Sequence, residues 1–169
     1  MVRNLSGWAR VHTLVHRICE YWAFFGGLVL TAVVLVNAYS ILADLLIRQP
    51  FPGDFELTQL GVAIAAFAFL PYCQIAGSNV TADLFTANAG RAAVAVMALI
   101  ASLIAVAFSV FLLWRMSAGL ADYQEYEEIT GILSIPIWYA FVPALVSLCL
   151  LVVASFMTLI DVFGIHRRA

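Results

Sequence analysis

The chain has 169 residues, 64% of them hydrophobic and only 11% charged, with a mean hydropathy of +1.02 and a formal net charge of −2. A soluble domain is nearer half apolar and a quarter charged, so this composition excludes an ordinary soluble globule and points to lipid as the solvent. Crossing about 30 Å of hydrocarbon takes about 20 apolar residues in a helix. Windows at about 23–42, 55–76, 92–114 and 135–160 qualify, and none contains Lys, Arg or His. They predict an all-α membrane protein with four transmembrane helices in one membrane domain over 1–169. Four spans fill nearly the whole sequence and leave no room in it for a separate soluble domain.

Residues 1–22 carry Leu5, Trp8, Val15, Ile18 and Trp22 at helical steps. Arg3, Arg10 and Arg17 recur every seven on another stripe. This pattern predicts an amphipathic helix in the membrane interface, with its Arg side chains toward anionic lipid. The apolar run from Ala23 is too long and starts too late for a signal peptide, so the first span is read as retained. His12 and His16 sit four apart on this helix, outside the hydrocarbon, and are read as facing solvent or headgroups.

Gly26 and Gly27 permit close helix contact in the first span. Asn37 needs a partner there, and a helix–helix hydrogen bond is expected. The stretch Phe51-Pro52-Gly53-Asp54 then leads into the second span. Asp54 is the predicted N-cap and Glu56 lies in the first turn, both favouring the positive end of the helix dipole. The functional alternative for Glu56 is a contact to a partner protein, with Thr58 and Gln59 in the next turn. Pro71 removes one backbone bond near the far end. Gly77, Ser78 and Asn79 break the helix, and a short connector helix is expected over 80–87, carrying Asp83. In the third span Ala101, Ala105 and Ser109 are spaced for close packing. Ile135-Pro136 opens the fourth span, Trp138 and Tyr139 form an aromatic belt, and Pro143 lies inside it.

Arg3, Arg10 and Arg17 precede the first span, and Arg167 and Arg168 follow the last. Positive charge at span ends stays in the cytoplasm, so both termini are expected there. Asp122, Glu125, Glu127 and Glu128 then fall outside. Cys19, Cys73 and Cys149 are single and far apart, suggesting neither a disulfide framework nor a metal site. No cofactor, catalytic set or nucleic-acid patch is indicated. Ion-coupled sites leave ionisable residues at mid-membrane, and solute carriers tend to show repeats with broken helices. Neither pattern is present, which favours a helper subunit. Two other classes compete with that reading: the membrane anchor of a quinone-linked oxidoreductase, which needs His in the spans to hold haem, and a self-assembling four-span channel.

The stretch PGDFELTQLGVAIAAFAFLPYCQIAGSNVTADLFT resembles the signature of the small permease subunit (DctQ-like) of tripartite ATP-independent periplasmic (TRAP) transporters. The family's Gly-x-x-Glu corresponds to Gly53 and Glu56, and its Pro-Tyr to Pro71 and Tyr72. Its His-Val-x-Val-Asp connector corresponds to Asn79–Val80–Thr81–Ala82–Asp83, with Asn79 where the family often has His and Ala82 where it often has Val. Its Ile-Pro-x-Trp pattern corresponds to Ile135, Pro136 and Trp138. The resemblance implies a multi-pass protein of the bacterial inner membrane. It would pair with a large permease subunit that holds the substrate and sodium sites, and with a periplasmic substrate-binding protein that captures an organic anion. Candidate partner contacts are Glu56, Gln59, Asp83, Arg91 and Trp138, with Arg91 as an ion-pair partner on the cytoplasmic side.

Overall fold

A computed structural model of the chain describes residues 3–77 and 91–166. Four helices make up most of it: α1 (Arg3–Ile47), α2 (Asp54–Ile75), α3 (Arg91–Glu125) and α4 (Trp138–His166). Each is long and apolar enough to cross a membrane. Among the described residues, the only extended pairing is one isolated antiparallel bridge between Ile129 and Pro136. The connector expected over 80–87 lies outside the described residues.

Helix α1 is longer than the hydropathy suggests. The sequence divides it into an interfacial helix and a span, but the helix runs unbroken through residues 22 and 23. At about 1.5 Å per residue its 45 residues reach about 68 Å, roughly twice the hydrocarbon thickness. The physical reason is that nothing interrupts it. No proline occurs before Pro50, and a mid-helix glycine costs only about 0.5–1 kcal/mol relative to alanine. The first half also packs on the bundle: Cys19 and Ala23 are buried, and the Trp22 indole N–H donates to Ser147 Oγ at 2.8 Å. Ser147 in turn donates to the Pro143 carbonyl at 2.8 Å.

The helices pack as a row, α1–α2–α4–α3. Helix α2 lies against both α1 and α4, α3 packs along α4, and α1 touches α4 lightly. The two central helices hold the core. Of their most apolar windows 28% (α2) and 33% (α4) are buried, against 6% for α1 and 11% for α3. Small residues let the backbones close up, as packing between helices in lipid requires. A Cβ added at Gly26 would stand 2.7 Å from the Ala68 side chain, and one at Gly61 would overlap Val33. Ala65, Ala68, Ala144 and Ala154 are buried between the helices. On α3, among the residues whose side chains are described, the buried small ones are Ser102 and Ser109. Of the expected stripe, Ser109 is buried, Ala105 half-buried and Ala101 exposed, so the packed stripe is rotated by one position.

Residues 48–53 and 126–137 lie together at one end, here the loop end. The opposite, terminal end holds the start of α1 and the end of α4. There the Trp8 indole N–H donates to Asp161 Oδ1 at 3.2 Å, and His12 Nε2 stands 3.4 Å from Asp161 Oδ2. His12 is therefore not simply facing solvent as its position in the sequence suggests. It bridges the two ends of the chain.

Candidate functional site at the loop end

At the loop end three segments converge on the start of α2. The first is α1, which approaches through two polar side chains. Asn37 donates to Thr58 Oγ1 at 2.6 Å and to the Val33 carbonyl at 2.9 Å, the expected helix–helix bond. One turn on, Ser40 is buried. Its hydroxyl donates to Asp54 Oδ2 and accepts the Phe51 N–H at 3.2 Å. Asp54 is not the N-cap. Gly53 occupies that position with φ 85°, and no side chain caps the helix. Asp54 instead ties the loop end of α1 to the start of α2.

The second segment is the connection 48–53, joined to α1 through the Phe51 N–H, and the third is the loop between α3 and α4. It is a closed turn: Thr130 N–H donates to the Ile135 carbonyl at 2.9 Å and Ile137 N–H to the Glu128 carbonyl at 3.1 Å. Thr130 Oγ1 accepts the Ile135 N–H at 3.0 Å. Its tip leaves backbone N–H groups pointing at α2, and Glu56 receives them. The Ile132 N–H donates to Glu56 Oε1 at 2.7 Å and the Leu133 N–H to Oε2 at 2.9 Å. Both carboxylate oxygens are thus engaged by backbone, the charge-assisted form of the bond. The Leu133 side chain sits against Gly53, where a Cβ would overlap it. Gly53 is fixed as glycine twice over, by its left-handed φ and by this contact.

The Gly-x-x-Glu pattern therefore acts as one device, because both residues hold Leu133. Pro136, from the Ile-Pro-x-Trp pattern, forms the bridge with Ile129 that closes the same loop. A family model described as tripartite ATP-independent periplasmic transporters, DctQ component, matches residues 30–164. The chain belongs to this family. It is a small membrane subunit of a TRAP transporter, located in the inner membrane, and its family role is transport and not enzymatic. No curated protein and no solved structure matches it.

The other candidate residues are placed less closely. Gln59 is exposed one turn along α2 from Glu56. Trp138 begins α4 and its ring lies 4.3 Å, centroid to centroid, from Tyr139, so it shares the loop end with Glu56. Arg91 is the first residue of α3, and Asp83 lies outside the described residues. Among the described residues, no group of three or more His, Cys, Asp or Glu side chains could hold a metal ion. Ser40, Leu133 and Asp161 carry contacts that the sequence did not single out. A serine one turn beyond Asn37 on the same helix face was the available signal for Ser40. Backbone N–H groups as acceptor-seeking partners leave no signature of their own.

Proposed function

We propose that this subunit scaffolds the large transport subunit of a sodium-driven TRAP transporter for organic anions of the carboxylate class. The large subunit holds the substrate and sodium sites. The small subunit braces it in the bilayer, with both termini in the cytoplasm, and its loop end offers part of the docking surface for the periplasmic substrate-binding protein. Sodium coupling and the carboxylate class rest on family membership. Gln59 and Trp138 are proposed contacts at the loop end, and Asp83 and Arg91 at the other.

One observation carries the scaffold reading. The row of four helices leaves its outer members, α1 and α3, with long exposed apolar faces. These include Leu35, Ile41, Leu45 and Leu46 on α1 and Leu103, Ile104, Phe108 and Phe111 on α3. A row one helix deep has little interior in which to enclose a solute, but it offers broad flanks to a larger partner. Affinity-tagged chain should co-purify one much larger membrane protein. Recovery of a lone homo-oligomer would contradict the reading. Glu56→Ala and Asp83→Ala should weaken association or uptake without abolishing insertion, and full-rate uptake by both would remove those residues from the site.

A further inference from the structure

The contacts of α1 divide its surface in two. Trp8, His12, Cys19, Trp22, Gly26 and Asn37 face the bundle, as their bonds and burial show. On the opposite side Arg10, Leu14, Arg17, Tyr21, Phe24, Leu28 and Thr31 follow one another at three- or four-residue steps, which places them on one stripe. All are exposed. Both guanidinium groups lie toward the terminal end of the stripe, with Leu14 between them; the rings of Tyr21 and Phe24 follow, then Leu28 and Thr31, whose hydroxyl donates to the Gly27 carbonyl at 2.8 Å.

It is also concave. A depression lined by Arg10 and Arg17 meets a second lined by Arg17, Glu20 and Phe24. That one opens into a groove of about 510 Å³ bounded by Phe24, Gly27, Leu28 and Thr31 of α1 and by Phe69 and Tyr72 of α2. Gly27 forms its floor, since nothing lies within 4 Å of a Cβ built there. Tyr72 is held edge-on against His16, with ring centroids 5.7 Å apart. Among the described residues, no carboxylate forms an ion pair with Arg10 or Arg17. At about 1.5 Å per residue, Phe24 to Thr31 lie about 10–21 Å deeper than Arg17, a distance an acyl chain covers.

We propose that this track binds one anionic phospholipid. Its phosphodiester lies between Arg10 and Arg17, and one acyl chain runs in the groove between α1 and α2. Charge complementarity selects the occupant, because among the described residues two guanidinium groups without an ion-pair partner, against the carboxylate of Glu20, leave the headgroup end positive. The adjoining groove is mostly apolar, with the Glu20 carboxylate at its end nearest Arg17. A transmembrane helix of another protein would fill the groove but leave the arginines unmatched.

Native mass spectrometry of the full chain, released from detergent with added dioleoyl-phosphatidylglycerol or dioleoyl-phosphatidylcholine, tests this. One phosphatidylglycerol should be retained in clear preference to phosphatidylcholine. At roughly fivefold per arginine near a membrane surface, Arg10→Gln/Arg17→Gln should reduce retention by roughly thirtyfold, whereas Arg115→Gln on α3 should leave it unchanged. Gly27→Leu should fold normally, as judged by its melting transition, yet lose retention because the side chain fills the groove. Glu20→Gln should strengthen it. Equal retention of both lipids, or retention that survives both the arginine and the Gly27 variants, would overturn the proposal. So would a groove that takes neither lipid, with a Thr31→Cys label shielded only when the larger transporter subunit is present. That result would assign the groove to a partner helix.

Discussion

Glu56 and Gly53 lie three residues apart and act on one distant loop, Glu56 on backbone N–H groups 76 and 77 residues further along the chain and Gly53 on the Leu133 side chain. Removing the carboxylate leaves two N–H groups without their acceptor and frees the tip of the loop. In Glu56→Ala, hydrogen–deuterium exchange should rise at Ile132 and Leu133 and stay unchanged in α4. Glu56→Gln, which keeps one acceptor oxygen, should fall between the two. Unchanged exchange in both variants would show that the loop holds itself. Neighbouring glycines give a second test. Gly26 is packed against α2 and Gly27 is open. Gly26→Val should lower stability by about 1–3 kcal/mol, the usual cost of overpacking, while Gly27→Val should stay within about 0.5 kcal/mol of the parent. Thermal melts in detergent compare them directly, and equal shifts would contradict the α1–α2 packing. Asn37→Ala should cost about 0.6 kcal/mol and at most about 1.7 kcal/mol, as bonds between membrane helices do.

Helix by helix, the fold was readable wherever length and hydropathy decide. The four spans follow from uncharged runs of about 20 residues, which lipid tolerates only as helix. Continuity within α1 was not readable, because an amphipathic helix and a span share the same period and differ only in which faces are polar. The site was readable in part. Glu56 stood out as an acid in the first turn of α2, and Asn37 as an amide in a span that needed a partner. Their settings differ, however. Asn37 found a side chain on the adjacent helix, whereas Glu56 found backbone N–H groups in a distant loop, which no residue pattern announces. Likewise, His12 and Asp161 meet only because α1 continues far enough to reach the end of α4. That contact carries its own prediction. Asp161→Ala should release the Trp8 and His12 contacts, so amide exchange should rise over residues 8–16 while residues 30–47 keep their protection. If both stretches are unchanged, the contact does not hold the first turns of α1 in place.

At the scale of the molecule, the described residues form a row of four helices with its core in the two central ones and apolar flanks on the outer two. Such a shape suits a brace better than a carrier. The spans read from the sequence contain no Lys, Arg or His, and among the described residues no acidic or metal-ligating cluster lies between the helices. Family membership adds a larger complex around the row. The proposal that this chain supports transport without carrying solute itself is the one to test. Uptake of labelled carboxylates into sodium-gradient vesicles tests it most directly. Vesicles holding this chain as their sole polypeptide should accumulate none, and adding the large subunit and its substrate-binding protein should start uptake. Accumulation by this chain alone would contradict the account.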